Sequence, residues 1–224
     1  MEKNQQNTYF RWTQKWDKNY PLEFLAKLKT LTLYPPALIA NDSLNQKKIK
    51  RDFLTETERK LLKNCPGSKI PYLVNFCQVN YFQSILIFST RTETFLEPLA
   101  QFLQEKEIAL GLVTGKISHS QRKEAIDNFQ QQKIKILLCN IHSAGMGLNL
   151  SQADIAVFAD RSYSPADNEQ AEARFLPTNA NENLKSRLII DLICKGTIDE
   201  KISNLLKHKK NITKIIISNP EYLL

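Results

Sequence analysis

The residues best placed to do chemistry are a short glycine-bearing run and a helical pair that follows it. After the apolar run Ile134–Cys139 the chain reads Asn140-Ile141-His142-Ser143-Ala144-Gly145-Met146-Gly147-Leu148-Asn149-Leu150. Glycine lets backbone N–H groups approach a phosphate or sugar with no side chain in the way, and it tolerates the positive φ that such cradles need. Without context, Ala-Gly-x-Gly is more often a tight strand-to-helix turn. Further on, Gln170-Ala171-Glu172-Ala173-Arg174 sets a glutamine and an arginine four residues apart, so a helix carries both on one face. An arginine so placed can neutralise charge on a transferring phosphoryl group. A lone helical arginine is usually just solvated.

Such residues need a scaffold, and the chain from about residue 80 provides the pattern of one. Apolar, β-branched runs at Ser84–Ser89, Ala109–Val113, Ile134–Cys139, Ile155–Ala159 and Leu188–Ile193 alternate with helix-period segments. Phe95, Leu96, Leu99, Phe102 and Leu103 fall on one helical stripe, and Ala125, Ile126 and Phe129 on another. Continuous apolar strands alternating with helices predict an α/β domain, a parallel sheet with helices on both faces. Ligands of such sheets gather at the C-terminal strand ends, which singles out the loops after Ser89, Val113, Cys139 and Ala159.

Residues 1–64 read differently. Tyr9, Phe10, Trp12, Trp16, Phe24, Leu25 and Leu28 are spaced for helices, Pro35-Pro36 stops one of them, and a second helical piece covers about Arg51–Lys63. The segment shows no core of its own and is expected to pack on the sheet domain or on a missing partner. The turn Cys65-Pro66-Gly67-Ser68 marks the boundary. The reading is therefore 1–64 as a basic helical extension and 65–224 as the α/β domain, closed by a helix that opens on a capping box, Thr197-Ile198-Asp199-Glu200.

At 224 residues with 42% hydrophobic content, the chain is large enough for a proper core. No apolar run approaches the roughly 18–20 residues of a membrane helix, and the first residues lack the apolar centre of a signal peptide. Cys65, Cys77, Cys139 and Cys194 contain no Cys-x-x-Cys pair, so they read as reduced, buried thiols of a cytosolic protein and not as a disulfide frame or zinc site. The expected location is cytoplasmic, or at the nucleoid or in the nucleus. Of the net charge of +8, residues 1–64 hold +6, from 13 Lys+Arg against 7 Asp+Glu. A basic arm favours polyanions through counterion release, though a solvated cationic surface would look the same. Lys47-Lys48-x-Lys50-Arg51 and Lys207-His208-Lys209-Lys210 are further charge clusters. His119 and His208 read as surface residues.

Individually weak, these signals gain force in order. Ser84–Arg91, Thr114-Gly115 with Arg122 and Phe129, the glycine loop, Tyr163-Ser164-Pro165, Gln170-Ala171-x-x-Arg174 and Gly196–Ile202 together resemble the C-terminal lobe of Swi/Snf-type translocases, members of the second helicase superfamily. The resemblance spans about residues 68–215, and Leu25–Leu38 resembles the connector before this lobe. It implies a RecA-like fold that closes on a partner lobe to sandwich ATP while both lobes grip a nucleic-acid backbone. Carried over by position, Ser89, Thr90, Arg91, Thr114, Gly115, His142, Ser143 and Ala144 face the nucleic acid. Gly145, Gly147, Gln170 and Arg174 face the nucleotide, with Arg174 the catalytic cation. The implied partners are nucleic acid, with duplex DNA favoured, and a separate P-loop ATPase lobe. ATP with Mg²⁺ is implied only beside that lobe, and no membrane is implied.

Two features depart from the pattern. The arginine segment normally continues Arg-x-x-Arg, whereas here it reads Arg174-Phe175-Leu176-Pro177, and a proline cannot assist phosphoryl transfer. Arg187 matches a structural position before the last strand, and Asn179–Asn183 is a polar stretch able to form a longer loop. The other departure is the P-loop. Gly111–Ser118 approaches G-x-x-x-x-G-K-[ST], but a residue is missing between the glycines and Ile117 interrupts the Lys-Ser pair. Asp199-Glu200 opens a helix, where carboxylates complement the dipole, and so is no magnesium-binding acidic box. The expectation is a second motor lobe, inactive in ATP hydrolysis alone. The alternative is a non-catalytic nucleic-acid-binding or regulatory module, or the remnant of a split translocase gene.

Overall fold

The computed structural model describes residues 1–14, 21–39, 55–144, 149–176 and 186–207. Among the described residues four helices come first: α1 (Lys3–Thr13), α2 (Pro21–Leu33), α3 (Glu56–Lys63) and α4 (Lys69–Val79). Then follow β1 (Ile85–Ser89), a π-helical turn (Thr92–Leu96), α5 (Glu97–Gln104), β2 (Leu110–Val113), α6 (His119–Gln130) and β3 (Ile136–Asn140). The remainder is α7 (Ile141–Ala144), β4 (Ile155–Phe158), α8 (Pro165–Phe175), β5 (Leu188–Asp191) and α9 (Ile198–Lys207). The chain forms two compact units, Met1–Tyr72 with Ile193–Leu224, and Leu73–Leu192.

The second unit is built on a five-stranded sheet of order β2-β3-β1-β4-β5, parallel at every pairing. All the expected strands are present, with ends within two residues of their predicted positions. Both faces are buried. Leu86, Phe88, Leu137, Cys139, Ala156 and Phe158 share one core with Ile126 and Phe129 of α6 and Ala171 and Phe175 of α8. Side chains alternate across a strand, so Ile85, Ile87, Leu138 and Val157 point to the opposite face, where they are just as inaccessible. Each fully buried side chain of this size contributes about 1.5–3 kcal/mol. Phe88 and Phe158, opposite each other in the β1–β4 register, stack with centroids 4.8 Å apart.

Gly111 shows why α6 lies so close to the sheet. A Cβ there would meet Leu137 Cδ1 at 2.8 Å, Ile134 Cδ1 at 2.9 Å and Ala125 Cβ at 3.1 Å. Its place inside β2, not in a phosphate loop, agrees with the rejection of the P-loop. The Lys116 ammonium that would have served such a loop is instead paired with Glu93 and, at 3.5 Å, with Glu97. α6 starts on a full capping box: Ser118 Oγ accepts from Gln121 N–H at 3.2 Å and Gln121 Oε1 accepts from Ser118 N–H at 3.0 Å.

The first unit corrects the expectation that the N-terminal helices lack a core. Tyr9, Trp12, Leu25, Leu28, Leu31 and Leu62 are buried, and so are Ile198, Ile202 and Leu205 of α9. Polar side chains bind these helices together. Gln5 Nε2 donates to the Leu31 carbonyl at 2.6 Å, and the Ile198 N–H donates to Tyr9 Oη at 2.6 Å. At the start of α9, Asp199 forms an ion pair of 2.7 Å with Lys69, the two side chains only 6% and 4% exposed. Asp199 also accepts from Thr32 Oγ1 and from the Cys194 N–H, each at 3.2 Å.

The predicted cap is only half realised. Thr197 Oγ1 accepts from the Asp199 N–H at 3.2 Å, whereas the Glu200 carboxylate reaches the Gly196 N–H at 3.0 Å. Gly196, at φ +73°, turns its N–H toward α9 in a conformation open mainly to glycine. No described helix is long and apolar enough to cross a membrane.

Candidate functional site

The C-terminal ends of β1, β3 and β4 lie side by side, because β1 sits between the other two in the sheet. Two buried polar side chains lock these ends together. Asp160, just after β4 and 5% exposed, accepts hydrogen bonds from the hydroxyls of Ser89 and Thr90 and, at 3.0 Å, from the Thr90 N–H. The Ser89 hydroxyl in turn accepts from the Arg91 N–H at 3.1 Å. Asn140, paired with Ser89 in the β1–β3 register, donates through Nδ2 to the Thr90 carbonyl at 3.2 Å and to Thr92 Oγ1 at 2.9 Å. Its Oδ1 accepts the His142 N–H at 3.0 Å. The Ser89–Arg91 loop is thus held from two sides, and Arg91 leaves it half-exposed.

The Thr114–Gly115 turn and the start of the glycine loop also converge. A Cβ on Gly115 would have Ser143 Oγ as its neighbour, at 3.7 Å. Thr114 itself is 3% exposed, its hydroxyl accepting from the Lys116 N–H at 3.4 Å and its carbonyl from Arg122 Nη2 at 3.0 Å. Gly115, beside it, is exposed. Ser143 is 6% exposed. His142 points outward, with Nδ1 3.3 Å from Asp167 Oδ2. Ala144 closes α7, while Gly145 and Gly147 lie outside the described residues, as does Pro177.

Gln170 and Arg174 both fall within α8, the glutamine exposed and the arginine half-buried. Ser164 accepts the Asp167 N–H at 3.4 Å and Pro165 occupies the first turn, which fixes where α8 begins. The Leu150 N–H, just past the glycine loop, donates to the Arg174 carbonyl at 2.9 Å. Leu150 and Arg174, 24 residues apart in the chain, are thereby pinned to each other. On the other side of α8, the Arg161 guanidinium pairs with Glu172, bonds Asp191 Oδ1 at 2.6 Å and lies 3.6 Å over the Phe158 ring. Arg187 is spent on the Ser151 carbonyl, with Nη2 at 2.9 Å, in keeping with a structural part.

Asp160 and Arg161 escaped the sequence reading. The only available signal was their position immediately after an apolar strand. Among the described residues no group of three or more His, Cys, Asp or Glu side chains could hold a metal ion.

The strand order and the parallel pairing define the class: a RecA-like α/β fold of the helicase C-terminal type. Residues 68–176 match the family described as the helicase conserved C-terminal domain, and the chain is similar to the C-terminal domains of Swi2/Snf2 ATPases. It is 28% identical over 138 residues to the mouse (Mus musculus) chromodomain-helicase-DNA-binding protein 1-like, covering 62% of this chain and 15% of the relative. To the human chromatin-remodeling ATPase INO80 it is 28% identical over 139 residues, covering 62% of this chain and 9% of that protein. The chain thus spans a small part of the length of these relatives. The C-terminal part of the Fun30 ATPase domain has the same fold, with a TM-score of 0.68 at 19% identity, over 92% of this chain and 86% of that one. So does the Sulfolobus solfataricus SWI2/SNF2 ATPase core solved in complex with dsDNA, with a TM-score of 0.60 at 22% identity, over 98% of this chain and 42% of that one.

Proposed function

We propose that this chain acts as the second motor lobe of a Swi2/Snf2-like, ATP-dependent DNA translocase. It grips duplex DNA with the loops at Ser89–Arg91, Thr114–Gly115 and His142–Ala144. It completes an ATP site with Gly145, Gly147, Gln170 and Arg174, and the P-loop lobe of that site is on another chain. The observation that carries this reading is the bond from Leu150 to the Arg174 carbonyl, which ties the chain that follows the glycine-bearing segment to α8. The DNA-bound archaeal neighbour supports duplex DNA as the partner. ATP and Mg²⁺ supply the transferable phosphoryl group and its charge neutralisation.

In this arrangement Arg174 stabilises charge on the phosphoryl group, Gln170 orients the phosphates, and the strand-end loops bear on the DNA backbone. Hydrolysis is measured with duplex DNA, first for the purified chain alone and then with a Swi2/Snf2-type P-loop lobe added. The expected results are no turnover alone and DNA-stimulated turnover in the mixture. Arg174→Ala then lowers that turnover about 10³-fold or more with DNA affinity unchanged. Hydrolysis by the chain alone would sink the proposal. The proline at position 177 favours a second reading, a non-catalytic DNA-binding module. That reading is upheld if DNA binds but no P-loop lobe restores turnover.

A further inference from the structure

A cleft of about 260 Å³ runs along α6, lined by His119, Arg122, Lys123, Asp127, Gln130 and Asn149, with Ile126 as its floor. Its two ends are tied to the site already described. Arg122 Nη2 bonds the Thr114 carbonyl at 3.0 Å, and Gln130 Nε2 bonds the carbonyl of Asn149, past the glycine loop, at 3.0 Å. Gly115, whose nearest neighbour across the site is Ser143, lies four residues before His119. The cleft is therefore a continuation of the Thr114–Gly115 turn and not a separate surface.

Charge is what distinguishes it. Lys123 and His119 are exposed and make no ion pair or side-chain hydrogen bond with any other described residue. Lys116, the next cation along, is neutralised by Glu93 and Glu97. Against Arg122 and Lys123 the cleft sets a single carboxylate, the half-buried Asp127. The stripe from His119 to Gln130 is about 16 Å long at 1.5 Å per residue. Duplex DNA carries about one charge per 1.7 Å of axis, so a duplex along the cleft presents several phosphates to it.

We infer that the α6 cleft is a second backbone-binding track, in which Lys123 and His119 meet phosphates of the same nucleic acid that the strand-end loops hold. This rests on the reading that the lobe binds nucleic acid. Contacts of this type carry no sequence information and act on affinity through counterion release.

The test is fluorescence anisotropy of a labelled duplex with the full chain at pH 8 and several KCl concentrations. Three variants are compared: H119A/K123A, the control K106A, and R91A in the strand-end loop. Lys106 is an exposed cation that follows α5, at the opposite end of the sheet from the loops. H119A/K123A should flatten the slope of log K against log[KCl] by about 0.9, equivalent to about eightfold weaker binding at 0.1 M KCl, while K106A shifts it far less. If H119A/K123A matches K106A while R91A weakens binding, the track is wrong and the nucleic-acid reading stands. If the unaltered chain binds no duplex at 50 mM KCl, both readings fall.

Discussion

Asp160 gives the Ser89–Arg91 loop its shape through a single carboxylate. It satisfies two hydroxyls and an N–H, all at or near the buried end of β1. Removing a buried acceptor costs more than the bonds contribute, because the donors left behind have lost water as well as their partner. Asp160→Ala should therefore destabilise the chain by about 2–4 kcal/mol in urea unfolding. It should also weaken duplex binding, although Asp160 itself is buried. Asn140→Ala, which removes weaker neutral bonds, should cost about 1–2 kcal/mol. Equal small losses below about 0.5 kcal/mol for both would show that the loop keeps its shape without them. Arg161 acts through α8 in a comparable way. Replacing it with methionine strips Glu172 and Asp191 of their partner, so partner-dependent turnover should fall with Arg174 intact.

Helices and strands differ in how far their neighbours can be read from the chain. The five strands were legible because buried parallel strands are continuous β-branched runs, and α5 and α6 because their apolar stripes repeat at the helical period. What α1, α2 and α9 pack against was not legible. An amphipathic stripe says that a face is buried and does not name its partner. Lys69 and Asp199 are 130 residues apart, and nothing local distinguishes either from a surface charge. Separations of 71 and 50 residues likewise hid Asp160 from Ser89 and Asn140 from Thr90. The glycine loop and Gln170/Arg174 were visible because each is a local pattern. The ion pair makes a clear prediction for the first unit. Lys69→Met leaves Asp199 charged and buried and should cost about 3–5 kcal/mol, whereas the double replacement K69M/D199L should recover most of that loss. If the single replacement costs less than about 1 kcal/mol by chemical unfolding, the pair does not hold α9 in place.

On the scale of the whole chain, the four cysteines are all free and buried, two in each compact unit. Burial pushes the Cys77 thiol up to about 12 from its ordinary value of 9.0. Cys65, facing Glu2, is pushed up to about 11, chiefly by burial, and Cys139 inside β3 is raised further still. A raised folded-state value means that the native chain holds its proton where the unfolded chain has released it. The associated stability is complete below pH 9 and is lost as pH climbs through the folded values. The urea midpoint should fall between pH 9 and 11, and Cys77→Ala should fall less over that interval. Identical pH dependence in the two proteins would rule Cys77 out as a contributor. The thiols also act as a built-in clock. A thiol reagent finds nothing to modify until a unit opens, since the thiolate is the reactive form and these groups stay protonated and covered. Labelling at Cys65 and Cys194 times the opening of the helical unit, and labelling at Cys77 and Cys139 times that of the sheet. The order in which this lobe comes apart can thus be followed by mass spectrometry without adding a probe.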